Sequence, residues 1–397
     1  MMSKEKRRVP KLRFPGFTED WERRKLTSFT QRVKGNDGRM DLPTLTISAS
    51  EGWLNQKDRF SANIAGSEQK NYTLLRQGEL SYNHGNSKLA KYGVVYALQE
   101  YKEALVPRVY HSFKVDESHD ALFVEYYFST KRPDRELRKL ISSGARMDGL
   151  LNIGYDEFTN ISISLPTFSE QKQIVALLKV CNKNITVHQR KIEHLNLKKK
   201  ALLQKLFPQN GECYPEHRFP GFTDAWEQRK LGDIVDFLDG QRKPLKESER
   251  IKGKYPYYGA SGIIDYINAY LFDENLVLLS EDGANIIDRN YPICFIATGK
   301  YWVNNHAHVL KVKTGVIDKF ICESLERLDY TKFNTGTAQP KLNQDICQKI
   351  VITIPNEDEQ KCISEFLDRI NNIITLHQRK LEHLQFQKKA LLQQLFI

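Results

Sequence analysis

RFPGFTEDWERRKL at residues 13–26 returns as RFPGFTDAWEQRKL at 218–231, with eleven of fourteen positions identical. HQRKIEHLNLKKKALLQKLF at 188–207 returns as HQRKLEHLQFQKKALLQQLF at 377–396, with fifteen of twenty identical. Self-similarity of this kind decides the organisation before any single motif does. The first pair is offset by 205 residues and the second by 189, so a 16-residue length difference lies between the motifs, in 27–187 against 232–376. Those middles share little beyond features near their ends, such as LPTFSEQK at 165–172 against IPNEDEQK at 354–361. Near-identical ends around dissimilar middles point to one shared scaffold that carries two different domains.

The segments after Pro166 and Pro355 read as long helices. SEQKQI at 169–174 and EDEQKCI at 357–363 supply acidic and capping residues for a first turn. Apolar residues then recur at heptad spacing. One seam position of the first helix holds Leu178, Ile185, Ile192, Lys199 and Leu206, and the other holds Ile174, Cys181, His188, Leu195 and Leu202. The same register in the second helix gives Leu367, Ile374, Leu381, Lys388 and Leu395, with Ile363, Ile370, His377, Leu384 and Leu391. Two amphipathic helices packed on unrelated cores would show apolar stripes too. The shared register, with His and Lys at equivalent seam sites, favours mutual pairing as an antiparallel coiled coil. Residues 174–206 would span about 50 Å at 1.5 Å per residue. His188 and His377 would approach each other near the pseudo-two-fold axis, so His188, Lys199, His377 and Lys388 are candidate register-setting residues. A core histidine bonded to backbone is the alternative. The exposed faces are basic: Lys183, Arg190, Lys191, Lys198, Lys199, Lys200 and Lys205 meet only Glu193 in the stretch 183–205. Such a face is solvated, docks an acidic partner or follows phosphates.

The expected fold class is α+β: two mixed α/β domains separated by two long helices, in a pseudo-two-fold tandem repeat. The boundaries are 1–26 for the first repeated segment, 27–165 for the first variable domain and 166–210 for the central helix. A linker and the second repeated segment fill 211–231, the second variable domain is 232–354, and the last helix is 355–397. Strands are expected near 42–48, 72–82, 93–98, 105–115 and 161–165, with a helix over 119–131. The second middle should place strands near 275–280, 293–297, 308–313 and 350–354, with a helix near 318–329.

The balance of 60 basic against 49 acidic residues gives a net charge of +11, which points to a polyanionic partner. No stretch of eighteen apolar residues crosses a membrane, and the basic start leads into no apolar core of a secretory signal. Six scattered cysteines without a CxxC pair argue against a disulfide framework or a zinc ribbon, and the expected compartment is the cytoplasm.

Four loops carry the vocabulary of nucleic-acid contact: SYNHGNSKLAKYG (81–93), KYPYYGASG (254–262, read as a Tyr-rich turn), TGKYWVNNHAH (298–308) and TGTAQPKLN (335–343). Lys meets phosphate or guanine, Asn and Gln pair with adenine, and Gly lets backbone approach. Asn305, His306 and His308 are the best metal candidate, since alternate residues of a strand share a face, but no third ligand motif accompanies them and no metal is expected. A buried hydrogen-bonding cluster is the other reading. Glu281, Asp282 and Gly283 read as a turn rather than a carboxylate pair. No GxxxxGK[ST], no strand-borne GxGxxG, no Asn/Asp-Pro-Pro-aromatic tetrapeptide and no GxSxG occurs, so chemistry belongs to a partner.

These residues have a family. The chain resembles the specificity subunit of type I restriction–modification systems over essentially its whole length. The resemblance rests on the two RFPGFT…RKL segments, the twin HQRK…KKALLQ…LF helices, and KYPYYGASGIIDY, LLSEDGAN, WVNNHAHVL and TGTAQPKLN in the second half. SYNHGNSKLAKYG and SSGARMDGLLNI in the first half match less closely. The resemblance implies two target-recognition domains, each reading half of a bipartite site in double-stranded DNA. It implies helices that separate the domains and bind two methyltransferase subunits. Up to two restriction subunits join them. S-adenosylmethionine, ATP and Mg2+ then belong to those partners, with no cofactor and no catalytic residue in this subunit. A rod of about 50 Å exceeds one DNA turn of about 34 Å, so the half-sites should be separated by unread base pairs.

Expected DNA contacts, by loop position and residue type, are Lys88, Lys91 and Arg146 in the first domain and Lys254, Tyr257, Tyr258, Lys300, Gln339 and Lys341 in the second. A scaffold that recruits partners without reading sequence would instead bind DNA blindly or not at all. A self-contained nuclease or methyltransferase would act alone.

Overall fold

The computed structural model describes residues 8–60, 66–85, 87–141, 150–209 and 211–397. They fall into two compact units, Met1–His188 with Arg379–Ile397, and Gln189–Gln378. The chain therefore enters the first unit, builds the second, and returns to the first. The expected domain edges describe the middles, while each unit also takes in part of both long helices.

The first unit holds a four-stranded antiparallel sheet in the order Thr30–Arg32, His111–Val115, Leu80–Asn83, Val94–Ala97. The helix Ala121–Ser129 begins where Asp120 accepts hydrogen bonds from the amides of Leu122 and Phe123. It buries Leu122, Phe123, Val124, Tyr126, Tyr127 and Phe128. Such all-round burial makes it a core helix rather than a surface one. Beside this sheet lie the hairpin Leu45–Ser48/Gly52–Asn55 and the pair Thr73–Arg76/Glu103–Val106, linked by a parallel bridge between Thr44 and Leu105.

The second unit repeats that plan. Its first sheet runs Val235–Phe237, Ala307–Val312, Leu276–Ser280, Cys294–Ala297, with the helix Asp318–Glu326 against it. Its second sheet runs Gly262–Ile267, Lys252–Gly259, Lys300–Val303, Phe272–Asp273, and the two central strands of that sheet are parallel. Two middles with little common sequence thus share one strand order.

Several expectations change. The regions 72–82 and 105–115 each break into two strands, because Gln77–Gly78 and Pro107–Tyr110 turn the chain between them. KYPYYGASG is not a turn: Lys252–Gly259 and Gly262–Ile267 form a β-hairpin whose bend is only Ala260 and Ser261. Lys300–Val303, read as loop, is a central strand. The repeated RKL segments are strands as well, and Glu22–Lys25 pairs with Ser162–Leu165 just as Glu227–Lys230 pairs with Val351–Ile354.

The long helices span Phe168–Leu206 and Glu357–Leu395. Thr167 and Asn356 cap them by accepting from the amides of Glu170 and Glu359. All twenty seam positions are buried or half-buried, while most positions between them are exposed. In the first unit Ile174, Val175 and Leu178 from one helix share a core with Leu395 and Phe396 at the end of the other. In the second unit the roles exchange, and Leu206 and Phe207 meet Ile363 and Leu367. The start of one helix with the end of the other is an antiparallel pairing. Trp21 and Trp226, each 1% exposed, seal these junctions. Trp21 stands edge-on to Phe123 and Phe396, and Trp226 stands edge-on to Phe320 and Phe207.

The seam lysines turn toward the domains, which differs from a purely helix-to-helix register role. Lys199 Nζ lies 2.9 Å from Glu323 Oε1 on the domain helix, and Asn371 of the second long helix donates to the same oxygen at 3.2 Å. Lys388 faces Glu125 at the equivalent place in the first unit. Burial lowers the Lys388 pKa and pushes that of Glu125 up to about 7. His188 and His377 are half-buried on their seams.

Candidate nucleic-acid interface

The second unit presents its exposed chemistry on the hairpin and on the 335–343 loop. The hairpin register shifts between Tyr257 and Tyr258 and between Lys252 and Tyr255, where a Cβ on Gly253 would sit 2.3 Å from the backbone of Asn268. Only glycine permits that approach. Tyr257, an expected DNA contact, is 1% exposed. Its hydroxyl accepts from Leu245 N at 2.9 Å, and the Arg250 guanidinium lies 4.8 Å above its ring. It is a core residue holding the hairpin. Tyr258 stacks at 5.7 Å on Phe295 and stands edge-on to Tyr301, so it too supports the strand with its ring half-buried. Sequence alone reads these tyrosines as loop aromatics, whereas Lys252–Gly259 is a strand paired on both edges, with a register shift between Tyr257 and Tyr258, and both rings are covered. The exposed residues of the hairpin include Lys254, Ile263, Ile264 and Tyr266. Exposed Ile and Tyr on the second strand were not singled out by residue type, because apolar residues read as core.

Lys254 Nζ lies 5.3 Å from the Tyr255 ring and Lys300 Nζ 4.7 Å from the Tyr270 ring, while those two rings meet edge-to-face at 5.1 Å. Asp273 lies 3.7 Å from Lys300. Two lysines thus sit beside a pair of tyrosine faces, an arrangement suited to phosphate and to stacking.

The 335–343 loop is closed by its own backbone. Asn334 Oδ1 accepts from the amides of Gly336 and Lys341 at 2.9 Å each, and Thr335 N donates to Lys341 O. A Cβ on Gly336 would fall 1.8 Å from Gln339 O. The turn leaves Gln339 and Lys341 exposed, with Lys341 Nζ 3.4 Å from Glu281.

Beneath this loop lies a polar cluster. His308 Nδ1 donates to Asp239 Oδ2 at 2.5 Å and Nε2 donates to Leu342 O at 2.8 Å. Both acceptors lack a proton to give, so the ring is an imidazolium. Burial is the largest single influence and opposes this charge, but the hydrogen bonds and fields of Asp239 and Cys347 together outweigh it and the pKa is pushed up to about 10. Arg242 completes the cluster, donating to Glu281 Oε2 at 2.6 Å and to Ala307 O, with Asp239 at 3.3 Å. Asp239, Glu281 and His308 are grouped closely enough to ligate an ion, yet Arg242 pairs with both carboxylates and, with the His308 imidazolium, already balances their charge. Sequence spacing alone did not mark Asp239 or Arg242. His306 and His308 do not converge: His306 precedes the strand and pairs with Asp282 at 2.8 Å, away from the partners of His308.

Residues 223–385 match the family described as the type I restriction modification DNA specificity domain. A type I restriction enzyme specificity subunit of Haemophilus influenzae is 34% identical over 161 residues, 41% of each chain. The specificity subunit of the type I enzyme MjaVIII of Methanocaldococcus jannaschii is 24% identical over 69% of this chain and 68% of its own. The crystal structure of a type I restriction–modification S subunit from M. genitalium superposes with a TM-score of 0.67 over 98% of this chain and 99% of its own, at 15% identity. The chain is thus similar to type I restriction–modification specificity subunits, with the family model matching its second half. Its match spans 41% of the length of the Haemophilus relative.

The first unit carries the counterpart segments. Lys88 and Lys91 are exposed around the turn where Ser87 Oγ accepts from Ala90 N, and Lys91 Nζ lies 5.9 Å from the Tyr92 ring. Gly93 has φ +78°, and a Cβ there would lie 2.5 Å from Asn83 O. Arg146 lies outside the described residues. His84 reaches the carbonyls of Leu151 and Val109 at 2.8 and 2.9 Å, and His111 donates to Ile153 O at 2.8 Å. The two imidazoles stack at 4.8 Å. Burial pushes the pKa of His111 down to about 4, so this ring lacks the charge that His308 holds.

Proposed function

We propose that the chain is the non-catalytic sequence-reading subunit of a type I restriction–modification complex. Each domain reads one half of a bipartite, asymmetric site in double-stranded DNA. The observation that carries this reading is one strand order, built twice, displaying two different sets of exposed residues. Identical surfaces would recognise a palindrome, and dissimilar surfaces on matched scaffolds recognise an asymmetric site. The DNA contacts in this reading are Lys88, Lys91 and Arg146 in one domain and Lys254, Lys300, Gln339 and Lys341 in the other, with an unread spacer between half-sites.

The long helices dock two methyltransferase subunits, and restriction subunits join through them. The repeat places exposed apolar residues at equivalent sites: Val187 matches Leu376, and Leu197 matches Phe386, all more than 40% exposed. Paired sites of this kind suit two copies of one partner. S-adenosylmethionine, ATP and Mg2+ act in those partners, and the assembly works in the cytoplasm. No helix among the described residues is long and apolar enough to cross a membrane. His188 and His377 set the register of the helices, so His188→Leu with His377→Leu should permit mispairing in a helix-pairing assay.

The test is methylome sequencing of cells that express the chain with its methyltransferase partner, with and without the first domain exchanged. The expected result is a bipartite motif in which one half changes. A motif unaltered in both halves overturns the reading. Leu197→Asp with Phe386→Asp should also abolish copurification of the methyltransferase without changing helix content.

A further inference from the structure

The two units solve one mechanical problem with different side chains. In each, the sheet strand that starts near residue 111 or 307 carries a histidine under a short segment, 150–153 in the first unit and 341–343 in the second. His308 bonds Leu342 O, and His111 bonds Ile153 O. The neighbouring strand end contributes a second tether. Glu281 O accepts from Leu342 N at 2.7 Å, and His84 O accepts from Leu151 N at 2.8 Å. The same two strand ends also form isolated bridges to the loop segment, Asp282 with Lys341 and Gly85 with Leu150. Backbone geometry is therefore held in common, while the side chains beneath differ. One unit uses Asp239, Arg242, Glu281 and His308. The other uses a stacked His84–His111 pair.

Buried polar groups cost stability unless fully bonded, so apolar packing would be the simpler floor for a loop. Polar nodes built twice, from unrelated residues and aimed at equivalent carbonyls, point to a requirement for fixed loop position. Every partner of each node lies inside its own unit. A node can then be exchanged together with its domain.

We propose that His308 in the second domain, and the His84–His111 pair in the first, are positioning residues that fix the segments 341–343 and 150–153 and hence the base preference of one half-site each. The inference rests on the DNA-reading function proposed above. The histidines touch no DNA. They hold the carbonyl of Leu342, one residue beyond Lys341, and the carbonyls of Leu151 and Ile153.

The experiment uses the full chain co-expressed with its methyltransferase partner, and reads base preference position by position in both half-sites. His308→Ala should relax discrimination about tenfold at loop-read positions of one half, the effect of losing a buried charged hydrogen bond, with the other half unchanged. His84→Ala with His111→Ala should relax the opposite half. His308→Gln keeps a donor for Leu342 O and should recover most of the lost discrimination. Asp239→Asn keeps the shape of the cluster and should give a smaller relaxation at the same half, which keeps the test decisive if His308→Ala folds poorly. Unchanged preference in every variant overturns the inference alone. So does equal relaxation of both halves in step with melting temperature. A wild-type pool with no bipartite motif overturns the functional reading, and the inference with it.

Discussion

Arg218 grips Glu359 through a fork of two hydrogen bonds, each 2.7 Å long, and the carboxylate is 1% exposed. Arg13 grips Glu170 in the same fork at 2.8 Å. Each arginine comes from a repeated RFPGFT segment and each glutamate from the first turn of a long helix. The forks lock the helix starts to the strands Glu22–Lys25 and Glu227–Lys230 that follow the arginines. A carboxylate in a first helical turn also meets the positive end of the helix. Removing one partner leaves a buried charge alone, so Arg218→Ala should lower stability by about 3 kcal/mol. Arg218→Met with Glu359→Gln should recover much of that loss. Urea unfolding of the two variants measures the difference, and equal losses would contradict it.

Lys199, Glu323 and Asn371 tie three helices of the second unit at one carboxylate. Glu323 Oε2 is buried and has no hydrogen-bond partner among the described residues. The node therefore has no spare donor. Lys199→Met should destabilise by about 3 kcal/mol, and adding Glu323→Gln should restore part of it. A double-mutant cycle by chemical denaturation gives the coupling. Additive losses would mean that the ion pair contributes nothing of its own.

Glu125 sits on the wall of a cleft of about 750 Å3 in the first unit, accepting from Ala97 N at 2.8 Å. Burial raises its pKa from 4.5 to about 7, and the field of Lys388 opposes that rise. The unfolded carboxyl ionises near 4.5, so the folded state is penalised progressively from there to about pH 7 and fully above it. Glu125→Gln should thus raise the melting temperature at pH 8 and leave it unchanged near pH 4. The gain should be about 1–3 kcal/mol. Thermal melts at the two pH values test the sign, and a gain of the same size at both would refute the burial argument.

The scaffold was legible because it is written twice. The heptad seams, the helix starts behind Pro166 and Pro355, and the strands at 94–97, 162–165, 276–280 and 294–297 follow from periodicity. The hairpin at 252–267 was not legible. Its Gly253, Pro256 and Gly259 look like loop residues, and its inward tyrosines look like surface aromatics. Only pairing with Lys300–Val303 reveals which face is covered. The polar cluster was half legible. His308 stood out by type, but Asp239 lies 69 residues away and is brought to it by the pairing of Val235–Phe237 with Ala307–Val312. Long-range pairing of this kind leaves no local periodic trace. Lys199 and Lys388 were found by register, whereas their carboxylate partners sit on domain helices that share no pattern with the seam.

The last expectation concerns the loop that presents Gln339 and Lys341. Gly336 lets the chain fold back so that Asn334 bonds two amides at once, and a methyl group there would strike Gln339 O at 1.8 Å. Backbone cannot yield as a side chain tip can, so Gly336→Ala must open the turn. The loop is exposed and lies outside the core clusters, so the substitution should leave overall stability within about 1 kcal/mol of wild type. It should weaken DNA binding by about tenfold, the cost of losing one well-placed polar contact. Lys341→Ala should also reduce the steepness of the salt dependence by about one phosphate contact. Gly336→Ala should shift affinity with little change in that slope, because it moves the reader without removing its charge. Binding isotherms at several salt concentrations separate the two. A Gly336→Ala protein that binds as wild type would remove the loop from the interface.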